Sequence, residues 1–377
     1  MEPFDRREFV DQLKRCALSQ AEISALAVSS SLHPAQVQSL VKLWLDGAAP
    51  SPLDATIDGS APNRVGVVAP SNLFVATWQP IVECLSLGAR VLVRASDRDR
   101  AAAEILQTWI RRASPSLAAR VECTSFARDD VQAWSDFFQR VDAVIVQGGV
   151  QACEQIERLR DDFAPDLPLR LQGHRVSLAL IHGQPNQAVC DGLALEALIS
   201  DGRGCMSPRL IVLLNPEPGA LARWGSELHR AVDRLSSQWD LPAAHFEQVS
   251  TWRHALEGHR LEAAMVGGHI VETQTQSAHL MVRVDANLST LAARHLGPTG
   301  PLLWLVGTDQ PVVDLLAPVA KLLCIVTIGP GVEAIVGNSA LLTAGAKRVA
   351  PIGFAQQPPW GLTSEMDALG QGLTQPA

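Results

Sequence analysis

The chain has 377 residues, of which 47% are hydrophobic and 19% charged, and its formal net charge is −8. That length can bury a large core in two or more lobes, and the apolar share excludes a disordered chain. Lys and Arg are scattered, which excludes the basic stripe that nucleic-acid binding needs.

Seven cysteines (Cys16, Cys84, Cys123, Cys153, Cys190, Cys205 and Cys324) are odd in number, with no C-x-x-C pair. The pattern suits a reducing cytosol and gives neither a disulfide framework nor a zinc knuckle. Met1 to Arg7 carries no apolar signal region, and no apolar run approaches the roughly 20 residues needed to span a bilayer. A cytoplasmic protein with no membrane span is expected.

In chain order, residues 5 to 47 read as a helical preface. Ser19 followed by Glu22 fits a capping box, and Pro34 opens a helix whose apolar face is Val37, Leu40, Val41, Trp44 and Leu45. Residues 48 to 63 read as a linker. Val65–Ala69 is then a short strand, Ala76–Leu87 a helix, Ala89–Val93 a strand, Asp97–Ala113 a helix and Val141–Val146 a strand running into Gly148-Gly149. This alternation predicts parallel β-α-β units covered on both faces, with a nucleotide at the carboxyl ends of the strands.

A second series follows: strand Ser177–Ile181, helix Leu193–Ser200, strand Leu210–Leu214 and a long helix from Ala220 to Gln238. Residues 245 to 300 show only one strand candidate, His279–Val284. Leu302–Val306 and Leu322–Ile328 are strand candidates near the end, and the tail from Pro358 is polar.

Between the second helix and strand lies Asp201-Gly202-Arg203-Gly204-Cys205-Met206-Ser207-Pro208-Arg209. Gly204 relieves crowding beside Cys205 and Pro208 disfavours helix at Ser207, so the thiol is presented rather than packed. A nucleophile and a structural loop cysteine are both open on these residues alone; a working thiol must ionise.

Four segments in order carry a resemblance. Gly66 to Asn72 with Gly88 to Ser96, then Val146 to Gly149, then Gly173 to Ser177, then Gly202 to Cys205, resemble the aldehyde dehydrogenase superfamily. The Cys-x-Ser-Pro sequence and the segment Gly345–Phe354 most resemble its acyl-CoA reductases, the bacterial bioluminescence fatty-acid reductase type.

The resemblance implies an α/β fold with a nucleotide-binding lobe and a catalytic lobe. The expected division is a helical segment 1–48, a nucleotide-binding lobe 60–180, a catalytic lobe 181–350 and a tail 351–377. The implied reaction reduces an acyl thioester, on coenzyme A or an acyl-carrier protein, to an aldehyde with NADP(H). Homo-oligomerisation or an acyltransferase or synthetase partner is also implied.

By the same resemblance Cys205 forms the thioacyl intermediate, and Asn72 with the Cys205 N–H stabilises the oxyanion. For Asn72 the alternative is a helix cap. Arg94, with Ser96, would grip a 2′-phosphate, since arginine is a fixed planar cation. For Arg94 the alternative is a solvated strand end. Gly148 and Gly149 would let backbone approach the cofactor, or form only a tight turn.

Departures matter too. Leu171, beside Gln172, stands where hydrolytic members carry a base, which fits a thioester reductase. Arg203 stands beside Cys205 where a neutral residue is usual. Trp360-Gly361 does not match the family's closing Asp-Gly, and no acid near Leu303-Trp304 serves the nicotinamide ribose. His174, which packs or meets solvent beside a strand, and Glu83, a helix residue, are set aside as acid–base candidates. His254, His259, His269 and His279 fit no one-face metal pattern. A cofactor-free acyltransferase or thioesterase and a catalytically silent carrier-binding subunit remain the alternatives.

Overall fold

The computed structural model describes residues 6–47, 62–70, 73–96, 100–173, 175–242, 270–274, 279–283 and 302–357, with isolated positions between 250 and 264. The 48–63 linker up to residue 61, Asn72, His174, His259, His269 and the tail from 358 lie outside the described residues. The chain divides into two units, one reaching residue 174 and the other Arg175–Gln356.

The first unit opens with helices α1 (Arg6–Arg15), α2 (Gln20–Ser30) and α3 (Pro34–Asp46). The Ser19–Glu22 capping box forms in both directions, and Pro34 takes the first turn of α3. Tryptophans fix this preface to the unit. Trp44 meets Trp78 edge-on at 5.5 Å and Trp109 at 6.2 Å, and its indole donates to Gln79 Oε1 at 2.7 Å. Trp109 donates in turn to the Leu13 carbonyl at 3.2 Å. Each ring buries a large apolar area while its N–H stays bonded.

Five parallel strands follow: β1 (Arg64–Val68), β2 (Arg90–Arg94), β3 (Val121–Thr124), β4 (Ala143–Gln147) and β5 (Leu169–Gln172), ordered β3-β2-β1-β4-β5. Helices α4 (Phe74–Ser86), α5 (Arg100–Ala113), the short α6 (Pro115–Ala118), α7 (Val131–Gln139) and α8 (Val150–Phe163) connect them. The central strands β1, β2 and β4 are buried almost end to end, which is why they read as apolar runs rather than alternations. The order reverses between β1 and β4, the switch point where doubly wound sheets take nucleotides.

In the second unit β6 (Val176–His182), α9 (Gln187–Leu198), β7 (Pro208–Leu214), α10 (Ala220–Gln238), β8 (Ile270–Gln274), β9 (His279–Arg283), β10 (Leu302–Thr308), β11 (Leu323–Ile328) and β12 (Arg348–Pro351) follow in order. The sheet runs β12-β11-β6-β7-β10-β9-β8 and is parallel except for the β8–β9 pair. The expected lobe boundary at 180/181 would cut β6. The strand belongs wholly to the second unit, because it pairs with β7 on one side and β11 on the other.

Candidate functional site

Cys205 lies at the amino-terminal edge of the second sheet, just before β7. Helix α9 ends with Gly202 N–H donating back to the Ala197 carbonyl at 3.1 Å, while Asp201 and Gly202 take φ of 55° and 64°. The left-handed conformation makes Gly202, rather than Gly204, the glycine the backbone needs here. Beyond it the turn is pinned by a buried hydroxyl pair. Ser200 Oγ and Ser207 Oγ are 2.6 Å apart, Gly204 N–H donates to Ser200 Oγ at 3.3 Å, and the Gln356 amide donates to Ser207 Oγ at 3.0 Å. Arg209 closes the loop by donating to the Gly202 carbonyl from Nε and Nη2. The frame is buried and Cys205 is exposed.

The β11–β6 ladder shifts register between Leu323 and Val326, and the Ile325 N–H turns to a side chain there. Ser177 Oγ accepts it at 3.1 Å and donates to the Cys205 carbonyl at 2.5 Å. One hydroxyl therefore ties the cysteine turn to β11, and the irregularity re-aims the side chain next to Ile325. That side chain is Cys324, whose thiol donates to Cys205 Sγ at 4.0 Å.

Arg348, at the start of β12, supplies the charge. Its guanidinium donates to the Phe354 and Ala355 carbonyls. Burial pushes its pKa down, and the charges of Cys324, Glu196 and Cys205 push it back up. A cation that gains from thiolates stabilises them in return. Arg203, two residues before Cys205, is ion-paired with Asp201 at 2.9 Å.

Glu196 is fully buried on α9. Oε1 accepts the Gly353 and Ala355 N–H groups at 2.7 and 3.1 Å, and Oε2 accepts the Thr327 hydroxyl at 3.1 Å. Burial pushes its pKa up to about 7, against those three hydrogen bonds and Arg348.

The remaining cysteines differ from Cys205. Burial and neighbouring carboxylates push the Cys84 and Cys153 thiols up, Cys123 to about 11 and Cys190 to about 12. Cys16 is half-buried, its thiol donating to the Arg112 carbonyl.

In the first unit the strand-end residues gather at the carboxyl edge of the sheet. Val68 at the end of β1 registers with Arg94 of β2 and with Val146 of β4. Among the described residues, Ser96 Oγ is buried there with no hydrogen-bond partner. Gly149 caps α8, and a Cβ added to it would meet nothing within 4 Å. An orphaned hydroxyl and an open helix N-terminus fit a phosphorylated cofactor.

Arg94 is placed differently from the expectation of a free cation. It is 8% exposed, its Nη2 donates to the Phe126 carbonyl at 2.9 Å, and its guanidinium lies 5.3 and 5.4 Å from the Phe126 and Trp134 ring centroids. Holding a phosphate would require it to leave these cation–π partners. Leu171 packs against the apolar cluster of Trp134, Phe137 and Val146. Glu83 is buried in α4 and accepts from the Gln79 amide. Sequence reasoning missed Cys324, Arg348, Glu196 and the bridging role of Ser177. Ser177 alone left a signal, a hydroxyl opening an otherwise apolar strand.

Among the described residues no group of three or more His, Cys, Asp or Glu side chains could hold a metal ion, and no helix is long and apolar enough to cross a membrane.

The family model described as Acyl-CoA reductase (LuxC) matches residues 60–362. No curated protein matches the sequence. Solved structures similar to this chain include an NAD-dependent benzaldehyde dehydrogenase from Corynebacterium glutamicum, at 13% identity and TM-score 0.64, covering 94% of this chain and 82% of that one. An NAD-dependent aldehyde dehydrogenase from Sinorhizobium meliloti matches at 16% identity and TM-score 0.64, over 92% and 73% of the two chains. A succinic semialdehyde dehydrogenase from Streptococcus pyogenes, in complex with NADP+, matches at 12% identity and TM-score 0.62, over 92% and 80%. At these identities the likeness establishes the aldehyde-dehydrogenase fold.

Proposed function

The chain belongs to the acyl-CoA reductase (LuxC) family of aldehyde-forming oxidoreductases, whose cofactor is NADP(H), and from that premise we propose that it reduces an acyl thioester to the aldehyde through a thioacyl intermediate on Cys205. The observation that carries this reading is the contrast among the cysteines. Cys205 is exposed on a turn whose frame is rigid and buried, with the Arg348 charge coupled to it.

Cys205 Sγ attacks the thioester carbonyl, the bond to the carrier sulfur breaks, and the carrier leaves as a thiol. Coenzyme A and an acyl-carrier protein are both chemically competent carriers. When bound, NADPH supplies the hydride. Ser96, Gly148 and Gly149 at the carboxyl edge of the first sheet are the residues we assign to hold it, and Arg94 joins them only by leaving Phe126 and Trp134. Arg348 favours the thiolate at the start and again when the thiohemiacetal on Cys205 collapses to release the aldehyde. Asn72 is assigned as an oxyanion donor with the Cys205 N–H, a contribution of about 3 kcal/mol for a preorganised donor. With Leu171 and Gln172 where hydrolytic relatives carry a base, the thioacyl group is spared from water.

The test is intact-mass spectrometry after incubation with a medium-chain acyl-CoA, with and without NADPH, on the native protein and on Cys205→Ala. An acyl adduct mapped to Cys205, absent in the variant and discharged as aldehyde by NADPH, is expected. An adduct released as free acid or moved to another acceptor would replace this reading with a thioesterase or acyltransferase. No adduct from several acyl donors would leave a carrier-binding subunit.

A further inference from the structure

Cys205 and Cys324 stand 119 positions apart in the sequence yet their sulfurs lie 4.0 Å apart. No residue of the acyl-transfer chemistry requires a second thiol there. We propose that Cys324 is a modification site coupled to Cys205: when a hydroperoxide oxidises Cys205, Cys324 closes a reversible disulfide with it and withdraws the nucleophile from reaction.

Three observations select this pair. Cys205 is the exposed cysteine of the seven, so peroxide reaches it, whereas Cys84, Cys153 and Cys190 are buried. The Arg348 charge is coupled to both sulfurs and favours the thiolate that peroxide attacks. The two partners also differ in freedom. Cys324 is fixed on β11 beside Ile325, whose N–H is held by Ser177. Cys205 sits on a turn and presents its side chain to solvent. Its sulfur must travel roughly 2 Å to reach bonding distance.

The chemistry balances. The Cys205 thiolate attacks one peroxide oxygen, the O–O bond breaks, and the leaving alkoxide or hydroxide takes a proton, giving a sulfenic acid. The Cys324 thiol then gives up its proton and attacks Cys205 Sγ. The S–O bond breaks and hydroxide leaves as water with that proton. Two electrons pass from the two thiols to the peroxide. A dithiol reductant reverses the step by thiol–disulfide exchange. A sulfenic acid with no second thiol beside it goes on to irreversible sulfinic acid. Cys324 therefore preserves the enzyme as well as silencing it. The inference rests on Cys205 being a reactive thiol and not on its carrying an acyl group.

The experiment treats the reduced full-length protein with hydrogen peroxide in the absence of acyl donor, then denatures, alkylates and maps it. The expected result is two fewer alkylated cysteines, a Cys205–Cys324 linked peptide, and full recovery of both thiols with dithiothreitol. In Cys324→Ser, dimedone should trap a sulfenic acid at Cys205 and sulfinic acid should accumulate. In Cys205→Ser, Cys324 should stay alkylatable. Oxidised Cys205 with Cys324 still free in the native protein, linkage of either to another cysteine, or no oxidation of the pair would each overturn the proposal, whether or not the variants fold. Acyl loading is read separately on the reduced protein. Its failure would sink the reductase reading and leave the linkage result standing.

Discussion

Glu196 gives the sharpest test of the second unit's energetics. Its carboxyl group is fully buried, and burial pushes its pKa from 4.5 up to about 7. The folded state therefore holds the proton more tightly than the unfolded chain. Between about pH 4.5 and 7 the native protein binds more protons, so stability falls as pH rises through that window and levels off above it. The full amplitude of such a shift is about 3 kcal/mol. In Glu196→Gln the amide keeps one oxygen for the Gly353 and Ala355 N–H groups, and its NH2 can donate to the Thr327 hydroxyl in place of accepting from it. The ionisation is gone and the contacts are kept. Urea unfolding followed by tryptophan fluorescence at pH 5 and pH 8 checks this on both proteins, with the difference between them cancelling every other carboxylate. The native protein should lose most of that amplitude, about 2–3 kcal/mol, more than the variant over that interval. Parallel behaviour at the two pH values would refute a raised Glu196 pKa, and a variant losing more than the native protein would reverse its sign.

Two further outcomes follow from particular contacts. A Cβ at Gly66, in the central strand β1, would stand 2.8 Å from Phe137 Cζ and 3.3 Å from Val144 Cγ2. Phe137 is hemmed in by Phe126, Trp134 and Phe138, so Gly66→Ala should cost about 1–3 kcal/mol, and an unchanged thermal midpoint would contradict the packing. Arg348→Gln should slow alkylation of Cys205 by iodoacetamide at neutral pH, because the neutral amide no longer favours the thiolate. The pH–rate profile should move to higher pH; an unmoved profile would show that the guanidinium has only a structural role.

The alternation of apolar strands with helices was legible in the sequence because central parallel strands are buried on both faces and carry their pattern locally. The capping box at Ser19, the Pro34 helix start and α10 were legible for the same reason, each being a matter of a few consecutive residues. Strands β3 (VECT) and β5 (LRLQ) left no such trace. They form the two edges of their sheet and are only partly buried, so their side chains need not be apolar. Strand β8, an antiparallel edge, escaped likewise.

The presentation of Cys205 was written in its own loop, by the glycines before it and Pro208 after it. What surrounds it was not. Cys324, Arg348 and Glu196 reach the site from β11, β12 and α9, and their proximity is set by strand order and by one register shift. The burial of Arg94 between Phe126 and Trp134 was equally invisible, since residues 32 and 40 positions away close over it. Local sequence determined which groups could react, through turn geometry and strand burial. Only tertiary structure decided which second thiol stands beside the first and which cation is coupled to it, because both depend on the pairing of strands far apart in the chain.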